Sequence, residues 1–235
     1  MSRTTQNAVL LLVGLSTALM VFKGTYLHYV RPALMPWLIT AAVVLIALAV
    51  VAVVGDLRRP QQDEPDEHGH RHRPWLVWLL LVPITLTAFV VPPPLGARGA
   101  APEAVAAPQK RPFPPLPAGT APTVPLPEVL MRSAADSAHT LDGRSITVTG
   151  FTLKYPGSTD LGRVVIVCCA ADAQLARIHL AGPAAATAAG YPEDTWLRVE
   201  GEVLPQTSSA ATHFIPTMSV TSVTKIDKPA NTYAY

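Results

Sequence analysis

The two cysteines of the chain are adjacent: Cys168 and Cys169 follow the β-branched run VVIV, and Asp172 comes three residues later. Thiolates and a carboxylate are ligands that zinc and similar divalent metals accept, and a bend after Cys169 would bring these three side chains together. His179 and His213 are further candidate ligands from the same half of the chain. The five residues therefore form the predicted metal site, with zinc or another divalent ion as the expected cofactor.

Two other roles for the cysteine pair stay open. Successive side chains of a strand point to opposite faces, so a regular strand would place one thiol in a core and the other outside it. A free cysteine fills a core well, whereas an exposed thiol can do redox chemistry. The spacing C-C-x-x-D is not an established metal motif, unlike paired C-x-x-C motifs. Thiol redox chemistry and inert packing are the alternatives to metal binding.

A second candidate metal-binding segment is rich in histidine. His68, His70 and His72 alternate with other residues, directly after the acidic stretch DEPDE. Neutral imidazoles and carboxylates can hold a labile divalent metal, and the same composition is typical of a solvated loop. Both interpretations apply to this segment.

Three polar residues lie near the end of the first apolar segment: Lys23, Tyr26 and His28. Polar groups at the end of a membrane helix either extend to the interface or contact a protein partner. These residues are therefore candidates for contact with another membrane subunit.

Three apolar segments precede residue 92, at about 8–30, 34–54 and 75–91. An α-helix needs roughly 20 apolar residues to cross a bilayer. Residues 1–91 are accordingly predicted to form a membrane domain with three helical spans in the lipid bilayer.

The positions of arginine predict the orientation of these spans. The segment between the second and third spans contains Arg58, Arg59, Arg71 and Arg73. Loops rich in Lys and Arg stay on the cytoplasmic side. We therefore expect a multi-pass protein of the cell membrane, with a cytoplasmic N-terminus and an extracytoplasmic C-terminal domain.

The composition changes twice after residue 91. Residues 92–127 are rich in Pro and Ala and show no apolar periodicity, which predicts an extended linker that packs no core. Residues 128–235 contain a short helix-like segment and then five stretches rich in Val, Ile and Thr, separated by Gly or Pro. Such a series of strands predicts an all-β domain, a small barrel of the oligonucleotide/oligosaccharide-binding (OB) type.

Charge and motifs exclude several function classes. From residue 128 onward the chain has eight basic and ten acidic residues, which is the wrong balance for a groove that follows phosphates, so no nucleic-acid partner is expected. The sequence contains no G-x-S-x-G, no H-E-x-x-H and no phosphate-binding glycine loop. We therefore expect a protein that is not an enzyme.

The chain resembles the bacterial YcgQ-like family of two-component permease subunits. The resemblance rests on the amino-terminal hydrophobic pair joined by YLHYVRPALMPW, the spacer, the block GFTL…VVIVCCAADAQ, the strand TWLRVEGEV and the ending IDKPANTYAY. It implies a membrane-anchored accessory subunit that works with a separately encoded integral-membrane permease, and it implies no substrate. A metal, a ligand or a partner loop is then the expected target of the β domain. A membrane-tethered thiol redox protein and a structural assembly factor with inert thiols are the alternatives.

Overall fold

The structure is a computed structural model that describes residues 3–58, 94–96 and 109–235. The chain divides into two compact units, Met1–Pro93 and Pro94–Tyr235. The second unit has its own hydrophobic core and contains the cysteine pair.

Two of the sequence predictions lie outside the described residues. These are the third span at 75–91 and the histidine segment with His68, His70 and His72. Both stay predictions.

In the described part of the first unit, residues 3–58, the chain forms two α-helices, α1 (Arg3–Phe22) and α2 (Met35–Arg58). They pack closely because Gly14 of α1 faces α2: a β-carbon at Gly14 would lie 2.8 Å from the Ile46 side chain. Ala42 and Ala49, seven residues apart on α2, are buried, which places two small side chains on one face of the helix. The helices thus form a hairpin with small residues between them.

The two predicted spans that lie among the described residues, 8–30 and 34–54, have different outcomes. Among the described residues, Pro32–Gly55 is a helical segment long and apolar enough to cross a membrane, with a mean hydropathy of 3.0. The segment predicted at 8–30 is interrupted, since α1 ends at Phe22 and Gly24 adopts a left-handed conformation at φ 72°. Its apolar helix, Gln6–Phe22, is shorter than the roughly 20 residues that an α-helix needs to cross a bilayer. The prediction of three spans is therefore not confirmed.

The described residues of the second unit form a mixed six-stranded sheet and two α-helices. The helices are α3 (Leu126–Ala135) and α4 (Ala185–Ala189). The strands are β1 (Ser145–Tyr155), β2 (Ser158–Val165), β3 (Gln174–Ala181), β4 (Trp196–Val203), β5 (Thr217–Lys225) and β6 (Tyr233–Ala234).

The strand order is β1-β4-β5-β3-β2-β6, and β1 also pairs with β2. β3 and β5 run parallel, as do β2 and β6, and the other pairs are antiparallel. β1 pairs with β4 up to Phe151 and with β2 from Phe151 onward. Gly150 precedes this change of partner, where a β-carbon would overlap the Gly162 carbonyl, so the two backbones can approach there only without a side chain.

Buried side chains from all of the first five strands form the core. The main cluster includes Ile146, Leu161, Ile178, Leu197 and Met218, with α3 covering part of it through Val129. These core residues belong to the alternating stretches that the sequence shows, because one face of each strand is apolar. A second cluster lies where β2 ends; Ile166 and Tyr233 belong to it and are fully buried.

The predicted linker ends earlier than the sequence indicates. Leu116, Val124 and Leu126 are buried in the main core, although residues 92–127 were expected to pack no core. The Val124 N–H donates to the Thr147 carbonyl at 2.9 Å, so this segment also bonds to β1. These apolar residues are separated by prolines and do not recur with the period of a strand or a helix. The sequence pattern therefore does not indicate that they are buried.

Candidate metal site

The cysteine pair lies in a loop that begins where β2 ends. Val165 is the last residue of the strand, and the Ile166 N–H donates to the Ala234 carbonyl of β6 at 3.1 Å. Val167 then turns outward, with 65% of its surface exposed. Neither cysteine is on the strand, so the alternation of a regular strand does not determine where the thiols point.

The carboxylate of Asp172 holds this loop in shape. One oxygen, Oδ1, accepts the Val167 N–H at 2.8 Å. The other, Oδ2, accepts the N–H groups of Cys168 at 2.8 Å and Cys169 at 3.3 Å. The Asp172 N–H in turn donates to the Cys169 carbonyl at 3.0 Å, which closes a single 3₁₀ turn over Ala170–Asp172. The aspartate therefore bends the chain back so that its own side chain reaches both cysteines.

The three predicted ligands come together in this turn. The Sγ atoms of Cys168 and Cys169 are 3.7 Å apart. One ligand atom from each of Cys168, Cys169 and Asp172 lies within 4.8 Å of the others. Cys168 is exposed and Cys169 half-buried, so the group faces solvent at the surface of the domain. Its geometry permits one ion to contact all three side chains.

Hydrogen bonding within the group shifts two pKa values in opposite directions. The hydrogen bond to Asp172 raises the pKa of the Cys168 thiol from 9.0 to about 11, and the hydrogen bond with Cys169 adds to this. The same bond from Cys168, together with the backbone N–H groups, lowers the pKa of Asp172 from 3.8 to about 2. At neutral pH the group therefore contains an ionised carboxylate and a protonated Cys168 thiol.

The two candidate histidines lie elsewhere. His179 is on β3, where its Nδ1 is 2.8 Å from Oδ1 of the buried Asp160. His213 is exposed and follows a 3₁₀ turn in the β4–β5 connection, with φ at 50°. Neither belongs to the group of Cys168, Cys169 and Asp172.

The three candidate partner-contact residues follow α1. Lys23 is exposed, directly after the last residue of the helix. Tyr26 and His28 are half-buried in a 3₁₀ turn, Thr25–His28, that leads toward α2. The structure thus places them on the connection between the two helices.

A polar cluster on β2 and β3 was missed in the sequence. Asp160 accepts from Arg177 at 3.4 Å as well as bonding to His179. Arg177 and His179 are two residues apart on β3 and therefore share a face of the sheet, and His179 is the register partner of Asp160. The spacing of two residues in the sequence indicates that Arg177 and His179 share a face of a strand. Asp160 can be assigned to the cluster only when the pairing of β2 with β3 is known.

A segment far along the chain supports the loop. Residues 231–235, called the tail segment here, place β6 beside the end of β2, with Val165 opposite Ala234. Arg163 donates to the carbonyls of Asn231 and Tyr233 at 3.2 and 3.3 Å, and its guanidinium lies 4.8 Å from the centre of the Trp196 ring. The tail segment thus fixes the strand end from which the cysteine loop leaves.

Comparison with known proteins finds a similarity in the region that carries this site. No curated protein and no solved structure matches the chain. Residues 129–235 match the family model described as the DUF1980 C-terminal domain, a range that includes all six strands and the cysteine loop. The cysteine pair and Asp172 therefore lie within the part of the chain that is similar to this family model.

Proposed function

We propose that this chain is a membrane-anchored accessory subunit of a permease whose extracytoplasmic β domain binds a divalent cation of the zinc class. The observation that carries the proposal is the solvent-facing group of Cys168, Cys169 and Asp172, whose ligand atoms lie within 4.8 Å of one another. Zinc accepts both thiolate and carboxylate ligands and is commonly held by three or four protein side chains.

The surroundings of the thiols favour metal binding over the two alternatives. A redox role needs only the two thiols, whereas this group also contains the Asp172 carboxylate, which is a ligand type that zinc accepts. An inert packing cysteine lies in a core, whereas Cys168 is exposed. A cation, in contrast, displaces the thiol proton and is attracted by the neighbouring carboxylate.

The remaining parts of the proposal rest on other features. The strand pairings run from β1 through β4, β5, β3 and β2 back to β1, which supports an OB-like barrel. The helical segment Pro32–Gly55 supports a membrane anchor, and the arginines around residues 58–73 support an outside position for the β domain. The permease partner rests on the family resemblance, with Lys23, Tyr26 and His28 as candidate contacts.

The test is zinc binding by the full chain in detergent. All samples carry His68→Ala, His70→Ala and His72→Ala, so that the histidine segment cannot contribute. We expect one zinc per chain, and we expect Cys168→Ser or Cys169→Ser to weaken binding by at least tenfold because each removes one of three ligands. Isothermal titration calorimetry measures the affinity.

Asp142→Asn is the matched control, because it removes an exposed carboxylate of the same domain that is not part of the group. Its zinc affinity should equal that of the parent chain. If the parent chain binds no zinc, or if both cysteine variants bind as tightly as the control, the proposed function is wrong.

A further inference from the structure

The ligand atoms of Cys168, Cys169 and Asp172 are close enough to bind one cation. Each lies within 4.8 Å of the others, and the two Sγ atoms are 3.7 Å apart. When a divalent ion binds, the S–H bond of each cysteine breaks, both protons leave to solvent and each sulfur keeps its electron pair for the new bond to the metal. The ion then lies between a thiolate and a carboxylate and neutralises the repulsion between them.

The carboxylate has room for one metal bond without releasing the loop. Each carboxylate oxygen has two lone pairs. Oδ2 of Asp172 accepts two backbone N–H groups, from Cys168 and Cys169. Oδ1 accepts only one backbone N–H group, from Val167. Oδ1 can therefore bind an ion while the backbone bonds that bend the loop remain.

The protein supplies three ligands, and a tetrahedral ion needs a fourth. Within the described ranges, no other His, Cys, Asp or Glu side chain joins this group. Structural zinc sites have four protein ligands, whereas sites with three keep one position for an exchangeable ligand. That position faces solvent, because Val167 and Cys168 on the outer side of the loop are both exposed.

We infer, on the basis of the proposed function, that the ion is held by Cys168, Cys169 and Asp172 with its fourth position open. An imidazole or thiolate of a second molecule binds at that position and takes the ion over. The site is then a transfer site for a zinc-class ion, and its ion leaves through a complex with the receiving ligand and not by free dissociation.

The first experiment tests whether the fourth coordination position is open, with cobalt(II) as the probe. The full chain with the three histidine substitutions is loaded with Co²⁺, and imidazole is added. We expect the visible absorption to change with saturation at one imidazole per ion, while the ion stays bound. A spectrum that imidazole leaves unchanged overturns the inference, because all four positions are then filled.

The second experiment measures how zinc leaves the site. A chromogenic chelator is added in excess to the zinc-loaded chain, and the transfer rate is followed at several chelator concentrations. An open site gives a rate that rises in proportion to the chelator concentration. A rate that does not depend on the chelator overturns the inference, as does native mass spectrometry showing one ion shared by two chains. A chain that binds no ion contradicts the proposed function itself, so the two failures are distinguishable.

Discussion

At the scale of single residues, Asp172 sets both the shape of the cysteine loop and the protonation of its exposed thiol. The same carboxylate that accepts three backbone N–H groups also holds the proton on Cys168. A cation can replace that proton, whereas an alkylating reagent needs the thiolate that the carboxylate disfavours. The chain thus protects an exposed thiol without burying it.

Replacement of this carboxylate should make Cys168 more reactive. In a Cys169→Ser chain, Asp172→Asn removes the negative charge and the carboxylate acceptor, so the Cys168 pKa should fall toward 9.0. The thiolate fraction at pH 8 then rises, and alkylation by iodoacetamide should be faster by roughly tenfold or more. Asp142→Asn in the same background should leave the rate unchanged, and an unchanged rate for Asp172→Asn would contradict the explanation of the raised pKa.

Asp136, which follows α3, is a second carboxylate with a depressed pKa. Burial alone raises its pKa, but hydrogen bonds from the Thr140 hydroxyl and from the N–H groups of Thr140, Ala138 and Phe113 outweigh it and lower the pKa to about 2. A carboxyl whose folded pKa is depressed stabilises the fold above its unfolded pKa, here 3.8, and this contribution is lost as the pH falls through about 2.

Asp136→Asn should therefore destabilise the chain at pH 7 by about 1–2 kcal/mol, because it weakens hydrogen bonds to a buried charge. The difference from the parent should shrink as the pH falls from 5 toward 2. Urea unfolding measures both effects, followed by the fluorescence of Trp196 in a chain whose other three tryptophans, Trp37, Trp75 and Trp78, are replaced by phenylalanine. A difference that stays constant over this pH range would show that the charge of Asp136 is not responsible.

At the scale of elements, β6 is short but holds the end of β2. Deletion of residues 233–235 removes the acceptor of the Ile166 N–H and the buried Tyr233 side chain. We expect the Ile166 amide to exchange its hydrogen much faster and zinc affinity to fall, since the loop loses its fixed origin. Tyr233→Phe, which removes the hydroxyl that accepts the Leu95 N–H, is the milder comparison and should cost about 1 kcal/mol without changing zinc binding.

The elements also show what the sequence could predict. The five strands and the helix before them are present, because their alternating apolar residues specify one buried face each. β2 lies at Ser158–Val165 and so ends before Ile166 and Val167, the last two residues of the β-branched run VVIV. The β-branched run continues past Val165, but the Asp172 carboxylate captures the N–H groups that a longer strand would use for pairing. A local hydrogen bond therefore overrides strand propensity.

Part of the candidate site was predictable because it forms within one local turn. Cys168, Cys169 and Asp172 are close in sequence, so a single turn is sufficient to bring them together. His179 and His213 come from distant segments, and their positions depend on strand pairing that the sequence does not display. The tail segment was equally hidden, because a two-residue strand carries no periodicity.

At the scale of the whole molecule, the two cysteines report on membrane orientation. They are the only cysteines of the chain, and both lie in the β domain. If this domain is outside, a membrane-impermeant maleimide should label the protein in intact cells at pH 8.5. A chain with Cys168→Ser and Cys169→Ser is the control for background, and labelling that requires lysis would place the domain in the cytoplasm.

The support of the cysteine loop by the tail segment has a consequence for biosynthesis. Cys168 and Cys169 are translated well before Ala234, and at roughly 5–20 residues per second the interval lasts several seconds. During this time Ile166 has no partner in β6, and the dithiol belongs to an incompletely paired strand. A metal ion that arrives while the chain is still being made therefore meets the two thiols before the tail segment has fixed the end of β2.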